Sequence, residues 1–238
     1  MFEADQLAAW TGGRWTRTPA AAVRSVRHDS SEAGPGVLFL ALRGANTDGH
    51  RYVDHAFARG AAGAVVEEAF AAGRPDAGPL LVVGDTRRAL GDLARGHRAR
   101  MTGRVVGVTG SVGKTTVKDM AAAVLAAAGP VARTRGNFNN DIGLPLSLLD
   151  ADPAAAHGVF EIGMNHPGEL AALCALLRPA WGLMARVGPV HLEFFADEAA
   201  IAGEKATLLR ALPADGLAVL AADEPWLGLF RAAAPCRG

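Results

Sequence analysis

Gly107-Val108-Thr109-Gly110-Ser111-Val112-Gly113-Lys114-Thr115-Thr116 is the stretch from which the rest of this 238-residue chain can be read. Before it, Arg104-Val105-Val106 is a short β-branched run suited to a buried strand. After it, Val117, Met120, Ala121, Val124, Leu125 and Ala128 recur at helical spacing. Strand, glycine turn and helix in that order gather backbone N–H groups and the positive end of a helix dipole into one concavity, which suits a polyphosphate. In such a loop Gly110, Ser111, Val112, Gly113, Lys114, Thr115 and Thr116 would surround the polyphosphate. Lys114 would reach the β- and γ-phosphates, and the Thr115 hydroxyl would ligate Mg²⁺. The usual spacing has a glycine where Val108 stands, so what remains is Thr-Gly-x-x-Gly-Lys-Thr-Thr. Glycine turns of this kind also occur simply to let a helix pack closely on a strand; the flanking strand and helix favour the phosphate.

Composition sets the bounds. Hydrophobic residues make up 50% of the chain, ample for one large or two modest cores. Lys plus Arg equals Asp plus Glu at 24 each, so no excess charge points to nucleic acid or to an anionic membrane. Cys174 and Cys236 lack the spacing of a metal site or a disulfide framework and read as a buried and an exposed thiol. The N-terminus has no basic-then-apolar leader and no apolar run is long enough to span a bilayer, so the expected compartment is the cytoplasm.

Taken in order, residues 5–11 read as a short helix before a Gly12-Gly13 turn. Residues 37–42, after Gly34-Pro35-Gly36, are a compact apolar run suited to a strand buried on both faces. Helical spacing returns over 52–59, short strands follow at 63–66 and 80–83, and Asp85 or Thr86 can cap a helix to about residue 100. Residues 1–102 therefore read as a small α/β domain and residues 103–238 as a second one, built on the phosphate loop. There, strands are expected near 158–162, 182–187 and 217–220, and helices near 167–177, 198–212 and 225–232, with Pro167 at position N1.

Ligands of open parallel sheets bind outside the carboxyl ends of the strands, so the residues just after each strand carry the chemistry. Glu161 ends an apolar strand and must meet a cation or hydrogen-bond donors; Mg²⁺ held by Thr115 is one answer, a neighbouring arginine another. His191 follows the next strand and can be a ligand or a satisfied core or surface group. Lys205 sits fourteen positions beyond it. On its own it reads as a solvated helix lysine; near metals and phosphates with a depressed pKa, its neutral amine could add carbon dioxide and become a carbamate, an oxygen ligand that suits Mg²⁺.

Four segments together resemble the Mur ligase family: the phosphate loop, Gly136-Asn137-Phe138-Asn139-Asn140-Asp141-Ile142-Gly143-Leu144-Pro145, Glu161-Ile162-Gly163-Met164-Asn165-His166-Pro167-Gly168-Glu169, and Gly188-Pro189-Val190-His191-Leu192-Glu193-Phe194-Phe195. The likeness extends upstream through Asp29-Ser30, Pro35-Gly36-Val37-Leu38-Phe39, Asp48-Gly49-His50 and Asp85-Thr86-Arg87-Arg88-Ala89-Leu90, and so covers nearly the whole chain. It implies an ATP-dependent amide ligase of peptidoglycan precursor synthesis, with UDP-N-acetylmuramoyl-tripeptide and D-alanyl-D-alanine as substrates. A substrate carboxylate would attack the γ-phosphate and the incoming amine would displace the acyl phosphate, with lysine and Mg²⁺ offsetting charge in the transition state. By the same resemblance Thr115 and Glu161 hold one Mg²⁺, and His191 with a carbamylated Lys205 serves a second. Asn137, Asn139, Asn140, Asn165 and His166 line the path of the muramoyl-peptide, and Ser30, Asp48 and His50 meet the uridine nucleotide.

The chain also departs from the family pattern. Ser31 stands where arginine usually follows Asp-Ser, and Ala196-Asp197 where a Gly-Ser pair is common. Family members carry further strands of the ATP domain and a third α/β domain, which do not follow Leu220-Ala221-Ala222-Asp223-Glu224-Pro225-Trp226, so the ATPase sheet is expected to be incomplete and residues 1–238 alone are not expected to turn over. The alternatives are a non-catalytic module for a UDP-sugar or nucleotide, and a relative acting on another substrate, against which the Asn-Phe-Asn-Asn segment argues.

Overall fold

The computed structural model describes residues 1–44, 47–74, 76–190 and 193–236, which form two compact units, residues 1–96 and 97–238. In the first unit the chain runs α1 (Ala4–Thr11), β1 (Arg14–Trp15), β2 (Ser25–Arg27), β3 (Val37–Leu40), α2 (Val53–Ala58), β4 (Gly63–Glu67), α3 (Glu68–Ala72), β5 (Leu80–Val83) and α4 (Thr86–Arg98). The sheet order is β1-β5-β4-β3-β2; only β1 is antiparallel to its neighbour. Every residue of β3 and β5 is buried, as strands covered on both faces require. The apolar run of β3 stays buried through Leu42, but the strand stops at Leu40. Ala41 makes a last bond to Val65 O, and the Leu42 N–H then turns back to Leu40 O at 2.9 Å, a three-residue turn that takes the chain out of the sheet. α4 carries the chain past the division at residue 96; the expected division, after 102, falls just beyond its end.

The second unit runs β6 (Arg104–Thr109), α5 (Lys114–Leu125), β7 (Val131–Arg133), α6 (Gly143–Leu149), β8 (His157–Glu161), α7 (Glu169–Leu177), β9 (Trp181–Met184), α8 (Glu198–Lys205), α9 (Thr207–Arg210), β10 (Leu217–Val219) and α10 (Leu227–Ala233). Its sheet, in the order β10-β9-β6-β8-β7, is parallel throughout, with helices in the connections that parallel pairing demands. β6 lies at the centre, with Val108 opposite both Glu161 and Leu183.

Three expectations are corrected. The helix after the phosphate loop does not bury the face drawn through Met120 and Val124, which are 64% and 72% exposed. It packs Val117, Ala121, Ala122 and Leu125 against Val106, Val108 and Val159, and it also buries Lys118. An alanine-rich helix is apolar on nearly every side, so periodicity left the inward face open. Pro167 is not at N1. Gly168 occupies the N-cap with φ +87°, a conformation open to glycine, and Glu169 is the first helical residue. The helix expected over 198–212 is interrupted at Ala206.

This orientation of α5 has a measurable consequence. Met120→Ala is expected to change the unfolding free energy by less than about 0.5 kcal/mol, whereas Phe160→Ala, in the fully buried β8 core, should cost about 3–5 kcal/mol in urea denaturation. A Met120→Ala cost comparable to that of Phe160→Ala would contradict the facing of the helix.

Candidate phosphate and metal site

The site is assembled where β6, β8 and β9 end. Val108, in the position where the common phosphate loop has glycine, is still within β6 and fully buried, so the loop proper begins only after Thr109. Gly110 has φ +153° and lies so close to Ala185 that a Cβ there would stand 2.7 Å from the alanine Cβ. Gly113, at φ +82°, caps α5 without a side-chain bond. The Ser111 and Val112 N–H groups donate to Arg186 O at 2.8 and 3.2 Å, and the Ser111 hydroxyl donates to Gly188 O at 2.9 Å. The first half of the loop is thus fastened to the segment after β9. The Val117 N–H closes the first helical bond on Gly113 O, which leaves the N–H groups at the start of α5, through Thr116, without intrahelical acceptors and aimed along the dipole. Lys114 is half-buried and its Nζ rests on Ser111 O at 3.2 Å.

Glu161 ends β8 and is 1% exposed. One carboxylate oxygen accepts the Thr115 hydroxyl at 2.8 Å, the other accepts the Asn139 amide at 2.6 Å, and the Glu161 N–H donates to Thr134 Oγ1 at 3.0 Å. The arginine partner considered from sequence is not there: among the described residues Glu161 forms no ion pair, and neutral donors surround it. Among the described residues no three His, Cys, Asp or Glu side chains cluster as a metal cage. A single carboxylate beside a hydroxyl still fits Mg²⁺, which is commonly bound through one or two carboxylates plus phosphate oxygens and water rather than by an all-protein cage. His191 lies outside the described residues.

Lys205 is no solvated lysine. It is 2% exposed, and its Nζ donates to Gly110 O at 2.8 Å, so α8 reaches the phosphate loop from within the unit. Burial, joined by the nearby Lys114 ammonium and opposed by Glu204, lowers its pKa from the ordinary 10.5 to about 7. Ahead of it, Asp197 accepts the Ala200 N–H at 2.8 Å and caps α8. The residue that departs from the usual Gly-Ser pair therefore fixes the start of the helix that carries Lys205.

Of the asparagines, Asn137 and Asn165 are exposed, Asn139 is half-buried on Glu161, and Asn140 accepts the Gly143 N–H at 2.8 Å, holding the start of α6. His166 Nδ1 lies 2.8 Å from Glu169, and its ring meets that of Phe194 at 4.3 Å. Burial would raise the Glu169 carboxyl, but the N–H groups of Asn165 and His166 and the His166 ring outweigh it and hold it below the usual range. Glu204 accepts the Gly168 and Leu170 N–H groups at 3.0 and 3.3 Å, a link between α8 and the start of α7 that no sequence pattern announced.

In the first unit, the Ser30 hydroxyl lies 3.0 Å from His55 Nδ1, and Asp29 accepts the N–H of Ser31. His50 is buried with both ring nitrogens engaged. Nδ1 lies 2.6 Å from Asp48, and Nε2 accepts the Glu67 N–H at 3.0 Å, which assigns a neutral ring with the proton on Nδ1. The geometry offers no free His50 nitrogen for a nucleotide; its ring orients Asp48 instead.

Residues 108–238 match the family profile described as Mur ligase middle domain, and residues 22–98 that described as Mur ligase family, catalytic domain. The chain belongs to the Mur ligase family. It is 41% identical, over 85% of its length, to the UDP-N-acetylmuramoyl-tripeptide--D-alanyl-D-alanine ligase of Escherichia coli (strain K12). The ligase of that name from Bacillus subtilis (strain 168) is 37% identical over 86%. The chain spans less than half the length of these relatives, 44% and 45%. A crystal structure of MurF from Acinetobacter baumannii superposes with a TM-score of 0.88 at 33% identity, covering 98% of this chain and 51% of that one. MurF from Thermotoga maritima in complex with ADP gives 0.74 at 30% identity, covering 90% and 49%.

The buried lysine makes a pH-dependent prediction. Between pH 7 and 10.5 the unfolded chain keeps the Lys205 proton that the folded chain has released, so the unfolding free energy rises with pH across that window and is flat in this respect below it. The stability of the wild type relative to Lys205→Met is expected to grow as pH rises through that window in denaturant titrations. A difference that does not change with pH would mean that Lys205 keeps an ordinary pKa.

Proposed function

We propose that this chain is the substrate-binding and phosphate-binding portion of an ATP-dependent amide ligase that adds D-alanyl-D-alanine to UDP-N-acetylmuramoyl-tripeptide in peptidoglycan precursor synthesis. The observation that carries the reading is the buried Glu161 carboxylate meeting the Thr115 hydroxyl directly beside the free N–H groups of α5. Relatives named for that reaction, identical at 37–41%, supply the substrates.

On this reading the N–H groups that open α5 bind the phosphates of ATP, and Lys114 swings from Ser111 O to the β- and γ-phosphates. Thr115 and Glu161 would hold Mg²⁺, which supplies positive charge against the phosphate oxygens. The tripeptide carboxylate attacks the γ-phosphorus, its oxygen gaining the phosphoryl group while ADP departs. The amine of D-alanyl-D-alanine then displaces phosphate from the acyl carbon and loses a proton as the amide forms. A carboxylate is a poor acyl donor and the acyl phosphate a good one, so the protein's task is to place the anions together and offset their charge.

Lys205, half neutral near pH 7, can bond through its nitrogen to carbon dioxide and release a proton, leaving a carbamate that with His191 would serve a second Mg²⁺. Asn137, Asn140, Asn165 and His166 are the exposed members of the set proposed for the muramoyl-peptide; Asn139 and Asn140 shape its path through the bonds they already make. Residues 1–102 would receive the uridine nucleotide, with Ser30 and Asp48 as contacts and His50 acting through Asp48. Nucleotide substrates of this kind place the reaction in the cytoplasm.

Calorimetric titration of the 238-residue chain with ADP and Mg²⁺ tests the reading. Saturable binding is expected, and Lys114→Ala should weaken it about tenfold or more, the loss of a charge-assisted phosphate contact. Absence of saturable ADP binding by the wild type, or a Lys114→Ala variant that binds as well, would overturn it.

A further inference from the structure

Lys118 is a buried charged side chain that the phosphate chemistry leaves unused. It follows Thr115 by one turn of α5 and Lys114 by four residues, so it shares their side of the helix, yet it is 2% exposed. A buried ammonium must spend its donors, and Lys118 gives two of them to backbone carbonyls, Thr134 O and Gly136 O, each at 3.1 Å. Asp119 Oδ1 stands 3.4 Å away as counter-charge and is shared with Arg133.

Those two carbonyls open the loop that ends at Asn139. Thr134 is tied to β8 on both sides: its N–H donates to Val159 O at 3.2 Å, and its hydroxyl accepts the Glu161 N–H at 3.0 Å. Gly136 has φ +54°, so the chain bends sharply between the two carbonyls that Lys118 holds. Three residues later Asn139 returns to the same strand end, its carbonyl accepting the Gly163 N–H at 2.9 Å and its amide donating to Glu161 at 2.6 Å. The return is tight: a Cβ on Gly163 would stand 2.9 Å from the Asn139 side chain.

We propose that Lys118 is a positioning residue for the Glu161 carboxylate: by gripping the carbonyls of Thr134 and Gly136 it sets the 134–139 loop so that the Asn139 amide fixes the carboxylate with its other oxygen on Thr115. The role rests on the reading above that Glu161 and Thr115 hold the magnesium of a nucleotide. One helix then carries both halves of the arrangement. Its first turn supplies Lys114 and Thr115 to the ligand, and its second supplies the ammonium that aligns the carboxylate Thr115 must work with. Groups that orient a metal ligand through one hydrogen bond commonly change affinity about tenfold to a hundredfold when removed.

The test uses the 238-residue chain, with ADP and Mg²⁺ as probes and backbone hydrogen exchange as a second readout that needs no ligand. In Lys118→Met the Glu161 and Gly163 amides should exchange faster, while the Ile162 N–H, bonded to Val108 O in the central ladder, keeps its protection. ADP affinity in EDTA should be unchanged, and the gain in affinity that Mg²⁺ confers should fall about tenfold. Adding Asn139→Ala to Lys118→Met should cause no further loss beyond Asn139→Ala alone, since both act on one carboxylate. Lys118→Gln, which keeps an N–H donor without the charge, should lie between wild type and Lys118→Met; if Lys118→Met does not fold, Lys118→Gln is judged by the same criteria. Unchanged exchange at Glu161 and Gly163 overturns the proposal. So does faster exchange with the Mg²⁺ gain intact, which would leave Lys118 a purely structural group. If the wild type itself binds ADP no better with Mg²⁺, the reading of Thr115 and Glu161 fails, and exchange at the two amides alone decides whether Lys118 holds the loop.

Discussion

The carboxylate of Glu161, buried at the end of β8, is the group on which the arrangement of the second unit depends. A carboxylate removed from water must find donors or a cation, and here two separate segments with three residues are shaped to meet Glu161: the start of α5 through Thr115, and the loop after β7 through Asn139 and through Thr134, which holds its backbone N–H. None of the three is a cation, and among the described residues Glu161 forms no ion pair. That is the state a site needs if a metal and a polyphosphate are to complete it.

The phosphate loop is organised from the other side by the same economy of buried polar groups. Its first N–H groups are bonded to Arg186 O, its Gly110 carbonyl takes the Lys205 ammonium, and Glu224, itself buried, accepts the Val187 N–H at 3.2 Å in the segment that holds the loop. What remains free is the N-terminal turn of α5, where the dipole favours an anion. Burial, with the nearby Lys114 ammonium added to it, lowers the Lys205 pKa to about 7, so the loop carries one mobile charge and one amine that gives up its proton far more readily than an exposed lysine.

Much of this was legible in the chain. The strand, glycine turn and helix around Gly110–Gly113 announce a phosphate site because each part has a backbone reason to be there, and the apolar runs that became β3, β5, β6 and β8 follow from two-faced burial. Glu161 stood out as a charge in an apolar strand end. Less legible was anything set by packing between distant segments. Lys118 reads as a solvated helix lysine in any window of sequence, and only the fold shows carbonyls waiting for it. His50 reads as a ligand residue, but a backbone N–H from β4 takes its second nitrogen. Short edge strands such as β2 and β7 carry too few residues to show a period, and the inward face of α5 was hidden by its alanines.

The most direct measurement of the central claim is electron paramagnetic resonance of Mn²⁺, in place of Mg²⁺, added with ADP to the 238-residue chain and to its Glu161→Gln variant. The amide keeps the size of the side chain and removes its charge. The account predicts that the wild type sequesters Mn²⁺ in a ternary complex with ADP and that Glu161→Gln weakens this about tenfold or more, while ADP binding without metal is retained. A variant that sequesters Mn²⁺ with ADP as well as the wild type would contradict the account.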